Sequence, residues 1–101
     1  MQANILNIDD EAKLRGLLAR IISLEGFHVF EAGDAKAGLK ILDKEEIHVV
    51  LSDVKLPDVN GVELTKIIKE KYPAIEIIVL TAYGTIADGV KAIKNGAFDY
   101  L

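Results

Sequence analysis

The sequence predicts an α/β domain built on a parallel β-sheet with helices against both faces. Short apolar segments alternate along the chain with segments whose apolar residues recur every three or four positions, and the connections between them are short. Such alternation favours a parallel sheet over an antiparallel one. The length of 101 residues suits a single domain, and we assign all of residues 1–101 to it.

The first strand–helix unit starts near the N-terminus. Asn4–Ile8 is largely apolar and runs into Asp9, which predicts a strand over about residues 4–9. Gly26 follows the next helical pattern, and a glycine there commonly ends a helix. The predicted buried stripe of this helix comprises Leu14, Leu17, Leu18, Ile21 and Ile22.

The second unit opens with a short strand, predicted over Phe27–Ala32. Asp34 follows it as a turn residue and helix cap. The alanine-rich helix after Asp34 carries Leu39 and Leu42 and is expected to end near Lys44.

The third unit contains an almost wholly apolar strand. Ile47–Asp53 has almost no polar residue before its end, which predicts a strand buried on both faces. A loop follows, and Asn60 with Glu63 resembles a capping box at the start of the third helix. That helix should end at Tyr72, because the proline after it disfavours helical backbone.

The last units complete the pattern. Ile75–Leu80 predicts another buried strand that ends on Thr81, and Thr85 is a candidate cap for a fourth helix. Gly96 is the expected stop of that helix, and Phe98–Leu101 begins a fifth strand.

Composition excludes several classes of protein. The net charge is −4 and the lysines are scattered among acidic residues, whereas a domain that contacts nucleic acid usually carries a basic stripe. Neither a signal peptide nor an apolar run long enough for a transmembrane helix is present, and there is no cysteine. We therefore expect a cytoplasmic domain with no direct contact to nucleic acid or membrane.

Carboxylates follow two of the predicted strands. Asp9 and Asp10 come after the first strand, and Asp53 ends the third. If these strands are parallel neighbours, the acids meet at one sheet edge and repel each other unless a proton or a cation intervenes. Oxygen-only ligands beside open water suit Mg²⁺, which keeps several waters and accepts a phosphate. The sequence thus predicts a divalent-metal site for phosphoryl transfer.

Simpler interpretations of the same residues remain open. An acidic pair after a strand can serve only as a helix cap, since aspartate is favoured near a helix N-terminus in any protein. Thr81 can be an ordinary residue at a strand end. His28 and His48 are interpreted as structural, because no serine or cysteine stands where a catalytic triad would need one.

The combined motifs resemble the receiver domain of two-component response regulators over essentially the whole chain. The resemblance implies a doubly wound, flavodoxin-like sheet of five parallel strands in the order 2-1-3-4-5. The motifs that carry it are Asp9-Asp10-Glu11, Asp53 with Pro57 and Gly61, Thr81-Ala82, and Gly96-Ala97-Phe98-Asp99-Tyr100-Leu101.

The resemblance also implies roles for single residues. Asp53 would accept a phosphoryl group from a phosphohistidine of a sensor histidine kinase, and Thr81 would turn its hydroxyl toward the new phosphate. Tyr100 would be the aromatic residue that swings inward as the switch operates. The expected ligands of Mg²⁺ are Asp9, Asp10, Asp53 and the backbone carbonyl of Lys55.

The segments around Thr81 and Tyr100 are similar to receivers attached to AAA+ enhancer-binding transcription activators. That similarity implies a separate output domain, which would bind DNA in place of this one. The lysine that follows the switch aromatic in the family, and the family's last helix, would both lie beyond Leu101. We therefore expect an incomplete receiver that lacks the fifth helix, leaves apolar surface uncovered and self-associates.

Three functions compete at this point. The leading one is a phosphorylation-controlled switch, which is not an enzyme acting on a separate substrate although it can catalyse its own phosphorylation and dephosphorylation. The second is a receiver-like docking module that never accepts phosphate. The third, a metal-dependent phosphatase, lacks a loop long enough to form a substrate pocket.

Overall fold

The structure, a computed structural model, describes residues 3–80 and 86–101. Strands and helices alternate throughout these residues, as the sequence predicts. Thr81 and Thr85 lie outside the described residues. The elements are β1 (Asn4–Ile8), α1 (Ala12–Leu24), β2 (His28–Ala32), α2 (Ala35–Lys44), β3 (Val49–Asp53), α3 (Gly61–Lys71), β4 (Glu76–Leu80), α4 (Ile86–Lys94) and β5 (Asp99–Tyr100).

The strands form one parallel sheet in the order β2-β1-β3-β4-β5. The predicted order is confirmed. The chain moves from β1 outward to β2 and then returns to the other side of β1 with β3. Ile8 of β1 lies opposite Ser52 of β3 in the register. The carboxyl ends of β1 and β3 therefore meet where the strand order reverses, which is where ligands bind in open α/β sheets.

One face of the sheet carries the hydrophobic core. Side chains from alternate strand positions point into it and are completely buried, as are the inward residues of α3. Burial of this extent is worth roughly 1.5–3 kcal/mol for each large aliphatic side chain. The fully buried aliphatic residues include Leu6, Ile8, Val50, Leu64, Ile68, Ile77 and Val79.

The other face of the sheet is covered less completely. Val49 and Leu51 of β3 are only half-buried there, whereas Val50 between them is fully buried. The prediction that β3 is buried on both faces is wrong for the described chain. Among the described residues, α1 lies over β1 and β2, so β3 and β4 lack a full covering layer on this side.

The apolar stripe of α1 is also incompletely buried. Leu14, Leu17 and Ile21 are 41%, 54% and 50% exposed, and only Ala19 of this helix is buried. The periodicity correctly predicted a helix with an apolar stripe, but most of that stripe is not in the core. The expectation of uncovered apolar surface is confirmed.

Most predicted helix ends are confirmed. The side chains of Asp34 and Asn60 accept hydrogen bonds from backbone N–H groups at the start of α2 and α3. Gly26 and Gly96 adopt positive φ angles of 97° and 104° just after α1 and α4, a conformation that favours glycine. Glu63 forms an ion pair with Lys91 of α4 at 2.7 Å. No helix within the described residues is both long enough and apolar enough to cross a membrane.

Candidate functional site

Three carboxylates converge at the carboxyl edge of the sheet. Asp9, Asp10 and Asp53 each offer one oxygen atom, and these atoms all lie within 4.8 Å of one another. The pairing of Ile8 with Ser52 brings the residues after them together, although they are far apart in the sequence. The structure therefore brings together the three acids that the sequence placed at strand ends.

Asp9 is held in place by several backbone contacts. The side chain is buried, at 5% exposure, and its Oδ1 accepts a hydrogen bond from the N–H of Glu11 at 2.9 Å. Its backbone carbonyl accepts a bond of 2.7 Å from the Arg15 guanidinium. Asp9 thus stabilises the turn into α1 and also belongs to the acidic cluster, so the two interpretations of this residue are compatible.

Asp10 and Asp53 are more open to solvent than Asp9. Asp10 is exposed, and Asp53 is half-buried at the end of β3. The Lys55 N–H donates to Oδ1 of Asp53 over 3.4 Å, a long hydrogen bond that constrains the carboxylate only weakly. A phosphoryl donor or a hydrated cation could reach both carboxylates from the solvent side.

The backbone of Asp53 is tightly packed against the start of α3. A Cβ atom added to Gly61 would lie 2.1 Å from the Asp53 carbonyl oxygen, so only glycine allows this approach. The Gly61 N–H donates to the Val54 carbonyl at 2.7 Å, and an antiparallel bridge joins Lys55 to Asn60. These contacts close the base of the segment 54–60, which we call the acceptor loop after the predicted acceptor Asp53.

A cavity of about 200 Å³ borders the acidic cluster. Asp9 and Asp53 are among its polar lining residues, and Leu14, Leu18 and Leu51 are among its apolar ones. The cavity lies on the incompletely covered face of the sheet. An apolar wall beside the acids lowers the local dielectric constant and strengthens electrostatic interactions there.

Tyr100 lies apart from the acids, on the side of the sheet that α4 covers. It pairs with Val79 in the register, and its ring is half-buried against the core. A Cβ atom on Gly89 of α4 would come within 3.1 Å of this ring. The hydroxyl is buried without a hydrogen-bond partner among the described residues, and its burial, with a smaller contribution from Asp88, raises the pKa of Tyr100.

Two predicted site features are not tested by these contacts. Thr81 follows β4 but lies outside the described residues. Lys55 is exposed on the acceptor loop, and the role of its carbonyl as a metal ligand stays a prediction.

Two residues near the site were missed by the sequence analysis. Arg15 contacts the Asp9 carbonyl and pairs with Glu31 at 3.3 Å. Asp58 on the acceptor loop accepts hydrogen bonds from the N–H groups of Ala35 and Lys36. An acid after a proline in a loop is a weak signal, because nothing in the local sequence identifies a partner so distant in the chain.

The family assignment follows from comparison with known proteins. Residues 5–101 match the response regulator receiver domain family. The chain belongs to that family. A curated relative, the DNA-binding transcriptional regulator NtrC of Proteus hauseri, is 40% identical over 100 residues, which cover 99% of this chain and 21% of that protein. The receiver thus spans about a fifth of the length of this relative.

Solved receiver structures agree with the fold throughout. A response regulator from Burkholderia pseudomallei, solved with a phosphorylated aspartic acid, calcium ion and citrate, has a TM-score of 0.93 at 34% identity and covers 99% of this chain and 59% of its own. The beryllofluoride-activated NtrC4 receiver domain dimer has a TM-score of 0.91 at 35% identity and covers 97% of this chain and 81% of its own.

Proposed function

We propose that this receiver is a phosphorylation-controlled signalling switch that accepts a phosphoryl group on Asp53. The observation that carries the proposal is the convergence of Asp9, Asp10 and Asp53 within 4.8 Å at the reversal point of the sheet. Membership of the receiver family and the phosphorylated aspartic acid in the Burkholderia relative support it. The phosphoryl donor would be a phosphohistidine of a sensor histidine kinase.

The donor set fits Mg²⁺ as the cofactor. Hard carboxylate oxygens with open access for water are what this ion requires. Asp9, Asp10, Asp53 and the Lys55 carbonyl would hold it. When bound, the ion would supply positive charge that neutralises the acids and the phosphoryl oxygens. Asp9, fixed by Glu11 and Arg15, would anchor this set, and the more open Asp10 would complete it.

The chemical step is an in-line displacement at phosphorus. A carboxylate oxygen of Asp53 forms the new P–O bond while the N–P bond of the phosphohistidine breaks. The electron pair of the N–P bond stays with the departing imidazole nitrogen, so no further reactant is needed. Positioning and electrostatic stabilisation account for most of the catalysis of such a transfer.

Thr81 and Tyr100 would transmit the phosphorylated state. Thr81 would contact the phosphoryl group, and Tyr100 would change the surface formed by α4 and β5. The close approach of the Tyr100 ring to Gly89 supports this assignment, because it places the ring directly against α4. The domain would act on its attached output domain or on a downstream protein, and not as an enzyme on a separate substrate.

The output is proposed to be transcriptional. The NtrC relative is a DNA-binding transcriptional regulator, whereas this receiver carries a net charge of −4 and would leave DNA contact to another domain. Self-association is part of the proposal. The exposed stripe of α1 and the dimeric state of the NtrC4 receiver support it.

Acetyl phosphate labelling of the full-length protein tests the proposal. We expect Mg²⁺-dependent labelling that Asp53→Asn abolishes. Asp34→Asn, which changes an acid outside the cluster, should label like the unchanged protein. Labelling of the Asp53→Asn variant at the full level would contradict the assignment. Absence of labelling in the unchanged protein would favour the docking module.

A further inference from the structure

The acceptor loop is fastened to a second helix at its outer end. Asp58, near the tip of the loop, accepts a hydrogen bond of 3.0 Å from the Ala35 N–H through Oδ1. Its Oδ2 accepts a bond of 2.9 Å from the Lys36 N–H. Both carboxylate oxygens of Asp58 therefore bind the first turn of α2, a segment more than twenty residues away in the sequence.

The first turn of α2 uses two aspartates from different parts of the chain. Asp34 accepts from the Ala37 N–H at 2.7 Å and caps the helix from its own segment. Asp58, on the acceptor loop, accepts hydrogen bonds from the N–H groups of Ala35 and Lys36, which precede Ala37. The N-terminus of a helix favours negative charge, and hydrogen bonds to a carboxylate are stronger than bonds between neutral groups. Consistent with this, the hydrogen bonds from Ala35 and then Lys36 lower the pKa of Asp58.

The position of the Asp58 contact on the loop determines how far it limits the conformational freedom of the loop. Gly61 and the Lys55–Asn60 bridge close the base of the acceptor loop onto itself. The Asp58 contact joins the tip of the loop to a different element of the fold. A loop fixed at both its base and its tip has less conformational freedom to lose when it binds a ligand.

We propose that Asp58 is a positioning residue for the phosphoryl and metal site, acting by clamping the acceptor loop to the N-terminus of α2. The inference rests on the proposed function, because it concerns the loop that begins after Asp53 and carries the Lys55 carbonyl. Coupling of this kind is reciprocal. A cation at the acids orders the loop and so tightens the Asp58 contact, and the Asp58 contact in turn raises the affinity for the cation.

Amide hydrogen exchange in the full-length protein, titrated with Mg²⁺, tests the coupling. In the unchanged protein, Mg²⁺ should slow exchange in residues 53–61 and also in residues 33–40, which contain the α2 amides. The slower exchange in residues 33–40 can be measured without any substitution. It reports the contact, since Ala35 and Lys36 donate to Asp58. An effect carried instead by the bond from the Asp9 N–H to the Ala32 carbonyl would persist after Asp58 is replaced.

A pair of variants separates positioning from simple helix capping. Asp58→Ala and Asp34→Ala each remove a cap of the same helix, and exchange in residues 33–40 should be faster in both. Only Asp58→Ala should lose the response of that segment to Mg²⁺. Asp58→Ala should also raise the Mg²⁺ concentration at the midpoint of the exchange response in residues 53–61 by about three- to tenfold. This effect is smaller than the ~10–100-fold loss of affinity typical when a residue that directly contacts a metal ligand is removed.

Each outcome supports or overturns the inference. Equal Mg²⁺ midpoints in the two variants would overturn it and leave the proposed function intact. Absence of any Mg²⁺ effect in residues 53–61 of the unchanged protein would overturn both. If Asp58→Ala does not fold, Asp58→Asn takes its place. The amide oxygen can satisfy only one of the two N–H groups well, so an intermediate midpoint is expected, and an unchanged one would overturn the inference.

Discussion

Gly61 shows how strongly a single residue constrains the position of Asp53. Its lack of a side chain lets the start of α3 approach the Asp53 carbonyl, where a Cβ atom would meet backbone at 2.1 Å and not a movable side chain. Relief of that clash requires displacement of either β3 or α3. The position of Asp53 and the identity of residue 61 are therefore linked.

We predict that Gly61→Ala destabilises the domain by about 3 kcal/mol or more, because overpacking against backbone cannot be relieved by a rotamer change. Chemical denaturation measures the difference. Gly16→Ala is the matched control, since a Cβ atom at Gly16 of α1 meets nothing within 4 Å. That control should stabilise the domain by about 0.5–1 kcal/mol. Equal unfolding free energies for the two variants would contradict the prediction.

Asp10→Asn should weaken Mg²⁺ binding and stabilise the metal-free domain. Removal of one of three clustered charges reduces their mutual repulsion in the absence of metal. It should lower Mg²⁺ affinity by about ten- to thirtyfold, since a unit charge near a divalent ion is worth on the order of 2 kcal/mol even in water-like surroundings.

Calorimetric titration and thermal unfolding without metal measure the two effects of Asp10→Asn. Glu76→Gln, which neutralises an exposed acid at the first position of β4, serves as the control and should change neither quantity much. An unchanged Mg²⁺ affinity in Asp10→Asn would remove that residue from the site.

At the residue scale, the sequence predicted the three acids but not the residues that hold the surrounding backbone in place. Asp9, Asp10 and Asp53 could be found because each follows an apolar strand, and parallel strands align their carboxyl ends. Asp58 and Arg15 could not be found in this way. Their partners are defined by tertiary contacts across many residues of chain, which leave no local pattern.

At the element scale, α2 and α3 are joined by a polar cluster at the end of the domain away from the acids. The Tyr72 hydroxyl and the Lys71 ammonium group both donate to the Asp43 carboxylate, the latter at 2.9 Å. The hydrogen bond from Tyr72, followed by that from Lys71, lowers the pKa of Asp43. The pKa of Lys71 is raised, mainly by its hydrogen bond to Asp43.

This cluster should make stability depend on pH in acid solution. A carboxyl group whose pKa is lower in the folded state stabilises the fold above its unfolded pKa of 3.8, and that contribution is lost as the pH falls through the lower, folded value. Asp43→Asn should therefore reduce the loss of unfolding free energy between neutral pH and about pH 3, and high salt should weaken the effect.

Tyr72→Phe provides an independent check of the same cluster. It keeps the ring but removes the hydroxyl that lowers the pKa of Asp43 most. Its acid denaturation curve should move in the same direction as that of Asp43→Asn. A curve that matches the unchanged protein would show that the Tyr72 hydroxyl does not contribute to the acid dependence.

Element boundaries were largely predictable, but burial was not. Caps such as Asp34 and Asn60 act locally, so the sequence around them was enough to place the starts of α2 and α3. The burial of β3 and of the α1 stripe depends on which neighbours cover them. Periodicity shows that a face is apolar but cannot show that another element is packed against it.

At the scale of the whole molecule, the sheet is covered unequally on its two sides. The side with α2, α3 and α4 contains the fully buried core, while the side with α1 leaves half-buried and exposed leucine and isoleucine side chains. Alternation in the sequence predicted a parallel sheet. The order of its strands came from the family resemblance, because periodicity does not specify which strands are neighbours.

We predict that the 101-residue chain self-associates through the α1 stripe. Leu17→Glu should reduce association because Leu17 is 54% exposed at the middle of the stripe, and it should change the unfolding free energy little. Ile67→Glu is the control, since Ile67 on α3 is 42% exposed but lies outside the stripe. Sedimentation velocity over a range of concentrations measures the association of the two variants, and chemical denaturation measures their unfolding free energies. Equal association of the two variants would exclude α1 as the contact.

The edge strand β2 has a consequence for the form that such association takes. An edge strand offers unpaired backbone groups to other chains, and charged side chains on it discourage further strand pairing. Glu31 of β2 is exposed and forms an ion pair with Arg15. If a second copy of the domain extended the sheet across β2, the Glu31 carboxylate would be pressed against the added strand. Copies of the domain are therefore expected to meet through apolar side chains and not by strand pairing across the β2 edge.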